Sequence, residues 1–258
     1  MQFFDTHAHL DAKQFTDRLD HYLDLASEAG VAQVCAVATD RDSSLRSLQL
    51  AEKYPQICAS VGVHPNYCLN FTESQWKEIE TWAGCDDIVA IGETGLDLYW
   101  DYCPLEIQQQ WFSRHIELSF ATQKPLIIHI RETEKETVDL LADHLIDGKI
   151  LGVLHSFAGS EKTAKQCLEW GMYISFSGIL TYKNSDELRQ VAAGVPPEKS
   201  LIETDSPYLS PHPYRGQRPN HPAMVRCVAE CLAEIHGCTL EQIANVTTDN
   251  ARRFFGIS

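Results

Sequence analysis

Short apolar runs and amphipathic stretches alternate along the whole chain. The runs Gln2–Asp5, Gln33–Ala38, Ile57–Val63, Ile88–Ile91, Leu126–Ile128, Ile150–Leu154, Tyr173–Phe176 and Leu201–Glu203 read as strands. Most are continuously apolar, the pattern of parallel strands covered by helices on both faces. Between them the helical period takes over. Asp17–Ala29 is closed by Gly30, Thr72–Ala83 by Gly84, and Ser160–Trp170 by Gly171 with Ser160 as its N-cap; Pro104–Gln123 is the longest stretch. Eight strand–helix repeats select a parallel α/β fold. The expected architecture is a (β/α)8 TIM-type barrel, a single domain over residues 1–258, with a doubly wound open sheet as the alternative. Two segments break the rhythm. Leu96–Pro104 reads as an aromatic and acidic loop after the fourth strand. Ser206–Pro222, with prolines at 207, 211, 213, 219 and 222, is too rich in proline for helix or strand.

Composition narrows the picture further. No apolar run approaches the ~18 residues of a membrane span, and no basic-then-apolar leader opens the sequence. Nine cysteines, an odd number without a Cys-x-x-Cys pair, point to reduced thiols and a cytoplasmic location. A net charge of −15 argues against binding nucleic acid through a broad basic surface. It leaves room for a strand held locally by cations and a few arginines. The sequence lacks a P-loop, a dinucleotide fingerprint and a serine elbow, so no nucleotide cofactor is expected.

The chemistry lies where the strands end. His7 and His9 follow the first, His64 the third, Glu93 the fourth, His129 the fifth, His155 the sixth and Asp205 the eighth. In a barrel those ends converge on one rim, the usual place for an active site. His7 and His9, one residue apart, point to one face if the strand persists, which suits two imidazoles on one metal; hydrogen-bonded structural histidines are the plainer alternative. Asp5 shares that alternation and is a candidate ligand or imidazole partner. Glu93, in Gly92-Glu93-Thr94-Gly95, needs partners at a buried strand end: metal ions, or an arginine. Asp205 is placed to ligate an ion, to accept a proton from water, or both. His64 reads as a substrate contact or proton carrier rather than a ligand. Arg131 and Arg215, with Tyr208, are candidate substrate contacts: guanidinium for phosphate, aromatic ring for base. His21, His115, His144 and His236 fall in helical patterns, where packing or surface roles are expected.

With these residues located, the sequence resembles the TatD family of metal-dependent deoxyribonucleases, in the amidohydrolase-like barrel superfamily. The matching segments are Asp5-Thr6-His7-Ala8-His9-Leu10, Gly62-Val63-His64-Pro65, Gly92-Glu93-Thr94-Gly95-Leu96-Asp97, Pro125 to His129, His155-Ser156-Phe157 and Glu203-Thr204-Asp205-Ser206-Pro207-Tyr208-Leu209. They span nearly the whole chain in the family's order. The resemblance implies two divalent ions (magnesium, manganese or zinc). His7, His9 and Asp205 would hold one, His129 and His155 the other, with Glu93 between them. It also implies hydrolysis of DNA phosphodiester bonds by a metal-activated water, as an exonuclease, with Glu93 and Asp205 as catalytic groups. Two positions depart from the family pattern: Ser156 stands where cysteine is common, and the last loop reads Arg215-Gly216-Gln217-Arg218 where Arg-Gly-Lys is expected. Two other readings remain: hydrolysis of small esters, lactones or amides on the same dinuclear centre, and a nucleic-acid-binding or scaffold protein with an unused site. Nothing in the sequence requires more than a monomer.

Overall fold

A computed structural model describes residues 1–257. Eight parallel strands alternate with helices: β1 Phe3–Ala8, β2 Val31–Ala36, β3 Ile57–Val61, β4 Ile88–Asp97, β5 Leu126–Arg131, β6 Gly152–Leu154, β7 Tyr173–Phe176 and β8 Ser200–Ile202. Each pairs with the next in sequence order. The circle is drawn together between the first and last. The Asp205 backbone N–H donates to His7 O at 2.9 Å, the His9 N–H to Ser206 O at 2.7 Å, and Thr6 Oγ1 to Ile202 O at 3.0 Å. This is a (β/α)8 barrel, and the open-sheet alternative falls away.

The helices are α1 Leu19–Glu28, α2 Arg41–Lys53, α3 Glu73–Trp82, α4 Leu105–Thr122, α5 Glu134–Ala142, α6 Glu161–Glu169, α7 Asp186–Gly194, α8 Val225–His236 and α9 Leu240–Phe255. None is long and apolar enough to cross a membrane, among the described residues. Their starts follow local chemistry. Ser160 accepts the Thr163 N–H as α6 begins, and Asp40, Thr72 and Thr239 form reciprocal capping boxes at α2, α3 and α9.

Inside the barrel, Phe4, Cys35, Val89, Ile127, Val153 and Leu201 pack with Phe254 and Phe255 of α9. Two residues beyond three of these stand His129, His155 and Glu203, on the same strand face by the two-residue period. Apolar packing thus forms a floor, and polar groups come immediately above it.

Most strand boundaries shift by a few residues from the sequence reading: β1 runs on through His7 to Ala8, and the shifts in β4 and β5 also move chemistry. β4 continues through Glu93 to Asp97, so Leu96 and Asp97 belong to the strand and not to the following loop. β5 likewise carries His129 and Arg131 within it. Gly92 and Gly95 make this possible. Their φ values are +145° and +133°, and a Cβ on either would drive into β5 backbone at Ile127 or His129. Only without side chains can β4 press so close to β5, which draws Glu93 and Asp97 toward His129.

Candidate metal centre

Seven side chains meet at the mouth of the barrel. His7, His9 and Asp205 form one group whose ligand atoms lie close together, His7, Glu93 and His155 a second, and His64, Glu93 and His129 a third. Glu93 joins them. Its Oε2 lies 3.4 Å from His7 Nε2 and 3.7 Å from His9 Nε2. Its Oε1 lies 2.9 Å from both His129 Nδ1 and His155 Nε2, and 3.5 Å from His64 Nε2. One carboxylate therefore turns each oxygen to a different set of imidazoles, Oε2 to two and Oε1 to three. Asp205 Oδ1 completes the first side, 3.3 Å from His9 Nε2 and 3.7 Å from His7 Nε2.

The outward nitrogens decide which inward ones are free to ligate. His129 donates from Nε2 to Asp97 Oδ2 (3.0 Å), His155 from Nδ1 to Glu203 Oε1 (3.2 Å), and His9 from Nδ1 to Val37 O (3.0 Å). In a neutral imidazole the other nitrogen is then a lone pair, and all three lone pairs point into the cluster. His64 is the reverse case. Its Nδ1 accepts the Asn66 N–H at 3.1 Å, so a neutral ring carries its proton on Nε2, toward the cluster. Proximity alone admits His64 to the ligand set; its tautomer makes it a donor.

The charges follow from this crowding. Burial works to keep the Glu93 carboxyl neutral, but the imidazoles of His155, His64 and His129 hold it well below the usual carboxylate range. Burial also opposes charge on His9, yet Asp205 and Glu93 raise it to about 9. His155 is likewise raised, against its own burial, by Glu93 and Glu203. His64, buried and next to His129, falls to about 3.

The donor set fits divalent metal ions. Glu93 Oε2, which faces His7 Nε2 and His9 Nε2, is buried with no hydrogen-bond partner among the described residues. His7 Nε2 and His9 Nε2 face each other at 3.4 Å, as nitrogens do when they share one ion. Imidazoles mixed with carboxylates suit zinc or manganese, while magnesium prefers mostly oxygen.

The other expected residues spread around the rim. The Tyr208 ring lies 5.9 Å from His9 and is half exposed. The Arg131 guanidinium rests on the Tyr99 ring at 3.6 Å. Arg215 stacks on Tyr182 at the same distance. Its proline-rich loop is tied to the barrel by Asn220, whose Nδ2 donates to Thr204 O and Tyr208 O.

Asp5 does not reach the imidazoles. Thr204 occupies both its oxygens, through the backbone N–H at 2.8 Å and the hydroxyl at 2.6 Å. Burial pushes its carboxyl up to about 8 despite these hydrogen bonds. A carboxyl raised in the folded state contributes stability that is complete below its ordinary value and is lost as pH rises through about 8. Asn keeps the shape and the Thr204 partner. Asp5→Asn is therefore expected to gain on the parent by ~1 kcal/mol or more as pH rises from 5 to 9, read by urea unfolding at saturating metal. An equal pH slope in both proteins would refute the buried neutral carboxyl.

Asp97 and Glu203, the two carboxylates that set imidazole tautomers, were not singled out from sequence. Glu203 was accessible by period: it follows Leu201 by two residues at the end of an apolar run.

Comparison with known proteins fits this geometry. Residues 4–256 match the family model described as TatD related DNase. A Bacillus subtilis protein described as the uncharacterized metal-dependent hydrolase YabD is 38% identical over 255 residues, covering 99% of each chain. A Citrobacter rodentium protein described as the 3'-5' ssDNA/RNA exonuclease TatD is 31% identical over 99% of this chain and 98% of its own. The crystal structure of YjjV, a TatD homologue from Escherichia coli K12, superposes with a TM-score of 0.93 at 29% identity, covering 99% of this chain and 98% of that one.

Proposed function

The chain belongs to the TatD-related DNase family of metal-dependent hydrolases, and from that premise we propose that it hydrolyses phosphodiester bonds of single DNA strands as an exonuclease. The observation that carries this reading is the Glu93 carboxylate, with one oxygen toward His7 and His9 and the other toward His129 and His155. That arrangement suits two ions, one with His7, His9 and Asp205, the other with His129 and His155. Divalent ions bound there would make water more acidic and neutralise charge gathering on the phosphate. The protein's own groups do the rest. Asp205, the more open of the two carboxylates, accepts the proton of the attacking water. His64 Nε2–H donates to a non-bridging phosphate oxygen. Asp97 and Glu203 keep His129 and His155 in the ligating tautomer. The 3'-5' direction is supported by the name of the Citrobacter rodentium relative.

The test is metal titration of the stripped protein, with turnover of an end-labelled single strand followed in parallel. Turnover is expected only with added magnesium, manganese or zinc, to saturate near two ions per chain, and to yield a ladder from the 3' end. Cleavage of small esters, lactones or amides with none of DNA would overturn the substrate. Metal-independent strand binding without cleavage would overturn the enzyme reading.

A further inference from the structure

A protein of charge −15 that cuts a polyanion gains from an attraction that is not ionic. Aromatic faces supply one, because every base has a face to stack on. The turn after β4 presents such faces: Tyr99, Trp100 and Tyr102 are 48%, 42% and 53% exposed. Burial does not explain rings left in water together. They are nonetheless ordered against each other. Trp100 and Tyr102 lie parallel within 5° at 5.4 Å, Tyr99 stands edge-on to Trp100, and Arg131 covers the Tyr99 ring.

The turn is also fastened to the metal centre. Asp97 Oδ1 accepts the backbone N–H groups of Tyr99 (2.9 Å) and Trp100 (3.1 Å). Its other oxygen receives His129 Nε2–H, and His129 Nδ1 faces Glu93. A single carboxylate thus sets both an imidazole of the site and the start of the aromatic turn. Resting on the nuclease reading above, we propose that Trp100 and Tyr102 form a stacking platform for an unpaired base of the strand whose scissile phosphate lies at Glu93. Arg131 braces Tyr99, which stands edge-on beside Trp100, and brings a positive charge to the adjoining backbone.

A base inside a duplex is stacked on both faces and has none to offer, so the platform favours unpaired strands. It reads no sequence, because stacking is indifferent to the base edge. It also relocates the stacking surface expected in the proline-rich loop, where Arg215 is already engaged with Tyr182.

The test compares labelled oligothymidylate with an abasic strand of the same length and charge. Stopped-flow anisotropy with the metal-loaded protein follows binding before the strand is cut. The parent is expected to bind the base-bearing strand roughly tenfold or more tightly, in line with the usual worth of base–aromatic stacking. Trp100→Ala should erase that difference while Trp100→Phe keeps most of it, and the loss in turnover should fall on KM. Equal binding of the two strands, or a preference that survives Trp100→Ala, overturns the platform even if DNA is cut. Base-dependent binding lost in Trp100→Ala, with no cleavage under any metal, supports the platform and overturns the nuclease reading. Self-association abolished by Trp100→Ala, without base dependence, assigns the rings to a second copy and overturns the proposal.

Discussion

Glu93→Gln is expected to lower turnover by ~10³-fold or more and to remove most of the thermal stabilisation that added metal confers. The reason is geometric as much as electrostatic. Glu93 offers one oxygen to each side of the site. A glutamine has one oxygen and one NH2, so whichever way its amide turns, hydrogens face one of the two imidazole sets. The charge that sits between the expected ions is lost as well. The fold should survive, because Glu93 is held in β4 by backbone pairing and the glycines on either side of Thr94 and Glu93 are untouched. Metal content, turnover and the metal-dependent rise in Tm measure the three consequences separately. Turnover above a tenth of the parent's would remove Glu93 from the bridging position.

How much of this was written in the sequence depends on the kind of feature. Apolar runs broken by glycine and proline announced the strands, because parallel strands buried on both faces have little freedom to be polar. The residues expected at the rim do converge, since a closed barrel leaves their strand ends nowhere else to go. Asp97 was the harder case. Gly92 and Gly95 look like breakers in a one-dimensional reading, so Leu96 and Asp97 fell into the loop. In three dimensions the same glycines extend β4, because the missing side chains let it lie against β5. What ends a strand in one setting prolongs it in another, and only the neighbouring backbone decides. Asp5 failed for a related reason. Alternation from His7 suggested a shared face, but β1 loses its regular register with β2 between Asp5 and Ala8, and Thr204 takes the carboxylate. His64 differs from the other rim histidines by the Asn66 N–H on its Nδ1, a contact that sequence does not display.

The second large effect is expected at Asp205, where Asp205→Asn should cost ~10³-fold in kcat with little change in KM or in the folded state. Backbone geometry makes this a clean substitution. Asp205 sits at φ +54°, a left-handed conformation that asparagine tolerates as well as aspartate and alanine does not. Its backbone bonds to His7 and Tyr208 do not involve the side chain. What disappears is the charge 3.3 Å from His9 Nε2 and the capacity to take a proton. The metal-free variant carries an internal control. Burial opposes a charged His9, and Asp205 with Glu93 overcomes it to place the imidazole at about 9. In Asp205→Asn that value should fall toward or below the ordinary range, visible by NMR titration. The sign also fixes a stability difference: the His9–Asp205 pair stabilises the metal-free parent fully below pH ~6.5 and loses that contribution as pH rises through about 9. The variant should lack this alkaline loss. Near-normal kcat together with a lowered His9 titration would show that Asp205 governs the imidazole and not the chemistry, and the proton acceptor would have to be sought elsewhere on the rim.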